Sequence, residues 1–276
     1  MATSMRTTRC GKTGRSRDER DIQYLHSAAL PQPRQDRWYT GRCGVTTVAI
    51  VQARMGSTRL PGKVLLPIGK YPALYHTLTR TRTACFNTVL AIPDTKENDI
   101  LAYEATGWGF AVFRGAEHDV LGRYATTVGA LDSPVGIVVR ITGDCPFVDR
   151  VLVARVVCGT LQTGYSSNFH RFRMYPRGLD CEAFDWRALY WANHEVTTAY
   201  DREHVTPAMQ AFLGGYNVTP IDGRSLAHHR WTLDTPADYE FFKAVAERID
   251  CEPPHPTTAE LLDLLEREPA LAKINT

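Results

Sequence analysis

The stretch VTTVAIVQARMGSTRLPGKVLL, residues 45–66, decides how the chain is read. Its first seven residues, 45–51, are mostly apolar and partly β-branched, which predicts a buried strand. The chain then turns into Arg54, Gly56, Ser57, Thr58, Arg59, Gly62 and Lys63, placing three fixed positive charges directly after a core strand. Backbone N–H groups, small hydroxyls and cations gathered at the carboxyl end of a strand suit a polyanion, usually a phosphate chain. A solvated basic loop is the alternative, and composition alone favours it.

Downstream, apolar runs alternate with amphipathic stretches. The pattern predicts strands over 88–92, 110–113 and 135–141, and helices near 73–82, 94–106 and 119–130. Such alternation implies an α/β fold in which a parallel sheet carries helices on both faces. Ligands on such sheets bind outside the carboxyl ends of the strands, where residues 54–63 and 142–144 fall. Past Asp149, the expected elements are a helix to about 161, strands over 165–169 and 179–184, and helices over 186–195 and 202–212. A strand over 216–221 and an extended segment over 231–234 follow. Thr235, Pro236 and Asp238 open a helix to about 249 with a capping-box-like arrangement, and a last helix covers 257–267.

With 276 residues, 43% hydrophobic, the chain can bury a full core, and its formal charge of +2 gives no global case for nucleic acid or membrane binding. Residues 1–44 stand apart. They carry nine basic side chains against four acidic ones, with Pro31 and Pro33 breaking any helix. This reads as a basic, disordered extension ahead of one domain over 45–276, a boundary with which a start at Val45 is compatible. The seven cysteines are scattered and form no C-x-x-C pair, so reduced thiols in a cytoplasmic protein are expected. No apolar run is long enough to insert in a membrane.

Four ordered segments resemble the cytidylyltransferases of the spore-coat polysaccharide type, relatives of the acylneuraminate and ketodeoxyoctulosonate cytidylyltransferases. They are QARMGSTRLPGKVL at 52–65, FRG at 113–115 with DVLGRY at 119–124, and RITGDCPFVD at 140–149. The last is a set comprising SN at 167–168, YPRGLDCE at 175–182, REHVTP at 202–207 and RWTLDTPAD at 230–238. The likeness covers about 45–249; residues 1–44 have no counterpart in it. It implies a three-layer α/β/α fold of the nucleotide-diphospho-sugar transferase type, with a mostly parallel, mixed central sheet. The activity it implies is transfer of CMP from CTP to an acidic sugar acceptor, with Mg²⁺, by a homodimer.

Each segment has a chemical reason to be there. A nucleotidyl transferase must hold a triphosphate while an oxygen attacks its α-phosphorus, so positioning and charge neutralisation dominate. Arg54, Arg59 and Lys63 suit the β- and γ-phosphates, with Ala53, Met55, Gly56 and Ser57 completing the loop. Asp144, after Thr142 and Gly143, can hold Mg²⁺ against the α-phosphate, and the resemblance makes Asp234 the second metal ligand. Asp238 reads as a helix-capping residue. Asp119 and Arg123 are placed beside the nucleotide base by the resemblance, together with Arg114, while their spacing equally allows an i,i+4 surface pair. Asn168, Arg177, Asp180, Glu182, Arg202, Glu203 and His204 would line the acceptor side, where arginines suit an acidic group. Two rivals fit parts of the pattern: a nucleotide-sugar-dependent glycosyltransferase, and a non-catalytic nucleotide-binding scaffold.

Overall fold

The computed structural model of the chain describes residues 46–85 and 87–276. The expected extension over 1–44 lies outside the described residues. Strand β1 (Thr47–Gln52) is an interior strand of the sheet, and Val48, Ala49, Ile50 and Val51 are fully buried. A small hairpin of β2 (Pro67–Ile68) and β3 (Tyr71–Pro72) leads into α1 (Ala73–Ala84). Then come β4 (Asn87–Pro93), α2 (Asp99–Gly107), β5 (Ala111–Gly115), α3 (Val120–Gly129), β6 (Ile137–Thr142) and α4 (Arg150–Thr163). Strands β4 and β6 flank β1 in parallel, and β5 adds to β4, as helical crossovers require.

The second half turns the sheet mixed. After β7 (Tyr165–Ser167) and β8 (Glu182–Asp185) come α5 (Trp186–Glu195), α6 (Ala199–His204), α7 (Pro207–Leu213), β9 (Tyr216–Asn217), α8 (Pro236–Ala246) and α9 (Thr258–Arg267). Strand β8 runs antiparallel to β6 and β7, giving seven strands in the order β5-β4-β1-β6-β8-β7-β9. Alternate residues of β1 feed opposite cores, since side chains on a strand point to opposite faces. Ala49 and Val51 pack with Leu74, Val153, Phe242 and Leu264, whereas Val48 and Ile50 pack with Leu121, Tyr124, Leu189 and Met209. The result is the mostly parallel α/β/α architecture anticipated from the sequence. Among the described residues, no helix is long and apolar enough to cross a membrane.

Some elements differ from expectation. The strand expected over 216–221 is only two residues long, and the strands expected over 165–169 and 179–184 shrink to Tyr165–Ser167 and Glu182–Asp185. The single helix expected over 202–212 is two helices. Val205 between them has φ 72°, a rare conformation for a β-branched residue, and its side chain is fully buried in the second core. Pro207, with no N–H to donate and a ring that would strike the preceding turn, cannot continue α6 and starts α7 instead.

Two glycines bring distant segments together. A Cβ on Gly143 would sit 2.8 Å from the Ala53 Cβ, and the Gly143 N–H donates to Gln52 O at 2.8 Å, so the ends of β1 and β6 lie in close contact. Gly178 has φ 105°, and a Cβ there would fall 2.1 Å from Trp231 O. Its neighbour Arg177 bridges Arg230 in parallel fashion, anchoring the extended segment that carries Asp234.

Candidate active site

The loop after β1 is shaped by its own backbone. Met55 is held at both ends: its N–H donates to Asn98 Oδ1 at 2.8 Å, and its carbonyl accepts from Gly62 N at 3.4 Å. Gly62 adopts φ 66°, and Lys63 then opens a one-turn 3₁₀ helix, Lys63–Leu65, pinned by buried Val64. This geometry turns the Lys63 side chain back over the strand ends.

Asp144 arrives from the other side. Its carbonyl accepts from Leu233 N at 2.9 Å and Thr232 Oγ1 at 3.4 Å, so the 230–234 segment lies along it. The two carboxylates, far apart in sequence, converge on one cation: Lys63 Nζ lies 2.6 Å from Asp144 Oδ2 and 2.7 Å from Asp234 Oδ1. Arg59 reaches Asp234 Oδ1 at 3.3 Å, and Arg230 reaches Asp234 Oδ2 at 3.2 Å. Burial alone would lower the Lys63 pKa, but the two carboxylates outweigh it and raise it. Burial likewise pushes Asp234 up, yet Lys63, Arg59 and Arg230 together hold it below the usual carboxylate range. Asp238 is the structural residue it was read to be. Fully buried, it accepts from Asp234 N, Thr235 N, Arg230 and Asn275 and completes the cap of α8.

A cleft of about 340 Å³ opens at this point. Of the expected nucleotide-side residues, Ala53, Arg54, Gly56, Ser57, Arg59 and Lys63 line it, as do Thr142 at the end of β6, Gly143 and Asp144 just after it, and Arg123 from α3. Met55 does not line the cleft: its backbone holds the loop, and its side chain packs on the first core. Arg114 is elsewhere: it pairs with Asp94 at 3.0 Å and Asp99 at 2.7 Å, fixing the β4–α2 loop that carries Asn98. Asp119 caps α3 through Gly122 N, and both its oxygens take Arg202, at 2.8 and 2.6 Å. The i,i+4 pair of Asp119 with Arg123 is therefore not formed, because Arg202 is a better-aligned, bidentate partner.

The expected acceptor group divides. Glu203 and His204 line the cleft from the end of α6. Arg202 is engaged by Asp119. Asn168 is fully buried and uses its amide to pair with Leu179 O and Cys181 N, a sheet-like role. Asp180 is bound by Arg173, with the Arg177 charge also acting on it, and burial raises its pKa. Glu182 is 1% exposed and accepts from Arg140, Tyr165, Thr206 and Gln210, so its oxygens face inward.

Sequence reasoning assigned no role to Gln52, Asn98 or Arg140. Arg140 lines the cleft beside Gln52, whose Oε1 accepts from Arg140 Nε at 3.2 Å and Tyr124 OH at 3.1 Å. A lone charge inside the apolar β6 run was a signal for Arg140. Nothing in local sequence marks Asn98, whose partner lies 43 positions away.

The residues present suit a magnesium ion. Mg²⁺ takes one or two carboxylates and completes its shell with phosphate oxygens and water. Asp144 and Asp234 already share a cation, the Lys63 ammonium, while no cluster of three or more potential metal ligands exists among the described residues. That donor set fits an ion carried with a nucleotide rather than one caged by protein.

A cleft at the carboxyl ends of parallel strands, with a cationic glycine-bearing loop and two convergent carboxylates, defines the class of α/β nucleotidyltransferases. The chain belongs to the cytidylyltransferase family, whose model matches residues 48–272; it is a CTP-dependent nucleotidyltransferase. It is 34% identical to the spore coat polysaccharide biosynthesis protein SpsF of Bacillus subtilis over 233 residues, covering 81% of this chain and 95% of that one. Over a shorter 105 residues it is 36% identical to 3-deoxy-manno-octulosonate cytidylyltransferase of Rhodopseudomonas palustris, covering 37% of this chain and 42% of the relative. A solved cytidylyltransferase from Leptospira borgpetersenii superposes with a TM-score of 0.77 at 28% identity, covering 84% of this chain and 98% of the other.

Proposed function

We propose that the enzyme transfers CMP from CTP to an acidic sugar of the 2-keto-3-deoxy type, for surface polysaccharide, with release of pyrophosphate. The observation that carries this reading is the convergence of Asp144 and Asp234 on Lys63 at the end of the cationic loop. In the reaction, the acceptor's anomeric oxygen forms a bond to the α-phosphorus, the α–β phosphoanhydride bond breaks with its electron pair leaving on pyrophosphate, and the hydroxyl proton passes to solvent. Arg54, Arg59 and Lys63 hold the β- and γ-phosphates and neutralise the charge that grows on pyrophosphate. Asp144 and Asp234 would hold Mg²⁺, which supplies positive charge against the phosphate oxygens when bound.

An acidic acceptor is supported by Arg123 and Arg140 in the lining of the cleft, which also carries Glu117 and Glu203. It is supported also by the name of the Rhodopseudomonas relative, and the polysaccharide role by that of SpsF. The test is pyrophosphate release from each of four nucleoside triphosphates with a panel of acidic sugars and phosphonates. Release that requires both CTP and a 2-keto-3-deoxy acid is expected. A nucleotide-sugar-dependent glycosyltransferase would release none, and release only with a neutral sugar would refute the acidic acceptor. A homodimer assembled through elements beyond the parallel strands belongs to the same reading. It draws support from the exposed aromatic side chains Trp186 and Tyr190 on α5, and a monomer mass in light scattering would rule it out.

A further inference from the structure

The charged side chains around the cleft are not all provided for. Arg140 has Glu182, Arg202 has Asp119, and Lys63 has two carboxylates. Among the described residues Arg123 has no ion-pair partner. It is only 5% exposed, its Nη1 donates to the Ala116 carbonyl at 2.6 Å, and its buried Nε has no hydrogen-bond partner among those residues. Asp119, one helical turn away, gives both oxygens to Arg202. Burial opposes the Arg123 charge and Arg54 opposes it further, while Tyr124, Asp119 and Glu117 offset this only in part.

A buried charge with no counter-ion is costly, and a chain that needed only packing at this point could place an apolar side chain there. Arg123 nonetheless sits in the wall of the cleft, with Arg54 on the same cavity. We propose that Arg123 is an oxyanion receptor, completing its bonding only when a substrate oxygen enters, and that it does this in place of reading the cytosine base. The assignment rests on the cytidylyl-transfer reading and names which group of the substrates Arg123 takes: a nucleotide phosphate or the carboxylate of the acceptor. Either is a planar or tetrahedral anion that a guanidinium fork can bind.

The experiment compares wild type, Arg123→Met and Arg123→Lys by thermal melting and by titration calorimetry. The probes are pyrophosphate, CTP and 3-deoxy-manno-octulosonate. Without ligand, Arg123→Met is expected to melt at or above the wild-type temperature, because the uncompensated charge is gone. Its affinity for one class of anion should fall about 10- to 100-fold. Arg123→Lys should lose affinity too, since an ammonium keeps the charge without the fork. Weakened CTP and pyrophosphate with intact sugar-acid binding identifies the phosphate as the ligand; the converse identifies the carboxylate. Unchanged affinity for all three probes in both variants overturns the proposal. So does ligand-free Arg123→Met melting well below wild type, or failing to fold, with Arg123→Lys binding as wild type, which is the behaviour of a structural arginine. Wild-type pyrophosphate release from CTP, measured in parallel, separates failure of this assignment from failure of the underlying reaction.

Discussion

Asp144→Asn should lower turnover on the order of 1000-fold while leaving the fold in place. The substitution keeps the side-chain shape, and the contacts that anchor this point of the chain use the backbone: Asp144 O accepts from Leu233 N and Thr232 Oγ1. What is lost is one of the two negative charges that meet at the cleft mouth. A neutral amide cannot replace a carboxylate as a hard-cation ligand beside a phosphate. Steady-state pyrophosphate release on a variant shown to be folded by circular dichroism checks this. Turnover within a few-fold of wild type would remove Asp144 from the chemistry.

The second large effect falls on Lys63. Replacement by Met takes away a phosphate-binding cation, worth about 100-fold in turnover. It also leaves Asp144 and Asp234 facing each other without the ammonium that joins them. Breaking such a partly buried pair should cost about 3 kcal/mol of stability at neutral pH. The sign of the pH dependence follows from the shifts. Asp234 is depressed in the folded state, so its contribution is present above the ordinary carboxylate pKa and is lost as pH falls through its lowered value. Lys63 is raised, so its contribution persists to high pH and is lost only as pH climbs through its raised value. Wild type should therefore lose stability relative to Lys63→Met on acidification, as read by urea melts between neutral pH and pH about 3. The same variant should bind Mn²⁺ without nucleotide more tightly than wild type, because the ammonium no longer occupies the carboxylate pair. Equal Mn²⁺ binding by the two proteins would show that the ammonium and the metal do not share these ligands.

Much of the scaffold was legible because local rules and tertiary demands agree. The apolar run forms a strand over Thr47–Gln52 because residues 48–51 are buried on both faces, and Asp149 and Thr235 cap α4 and α8 as their positions imply. The cationic loop and Asp144 were legible through motif chemistry and Asp234 only through the family resemblance, and the structure brings them to one cleft. Long-range partner choice was not legible. Asp119 looked equally able to pair with Arg123, and only the fold reveals that Arg202, 83 positions on, takes both its oxygens. Glu182 and Asn168 read as polar groups for an acceptor, yet each is consumed by buried hydrogen bonds that sequence spacing does not encode. Arg114 carries a charge suited to phosphate but spends it on Asp94 and Asp99. Charged residues are ambiguous in this way wherever a fold offers them internal partners, and Arg123, buried in the cleft wall with no ion-pair partner among the described residues, stands out for that reason.

In the proposed reaction the cations after β1 and the Asp144–Asp234 pair would clamp the phosphate tail of CTP around a divalent ion. A crystal structure of the enzyme with CTP and Mg²⁺ is the most direct test of this clamp. Triphosphate density is expected along Arg54, Arg59 and Lys63, with an ion between the two carboxylates and Lys63 swung from them onto phosphate. Nucleotide bound elsewhere, or Lys63 still bridging Asp144 and Asp234 with the triphosphate in place, would contradict it.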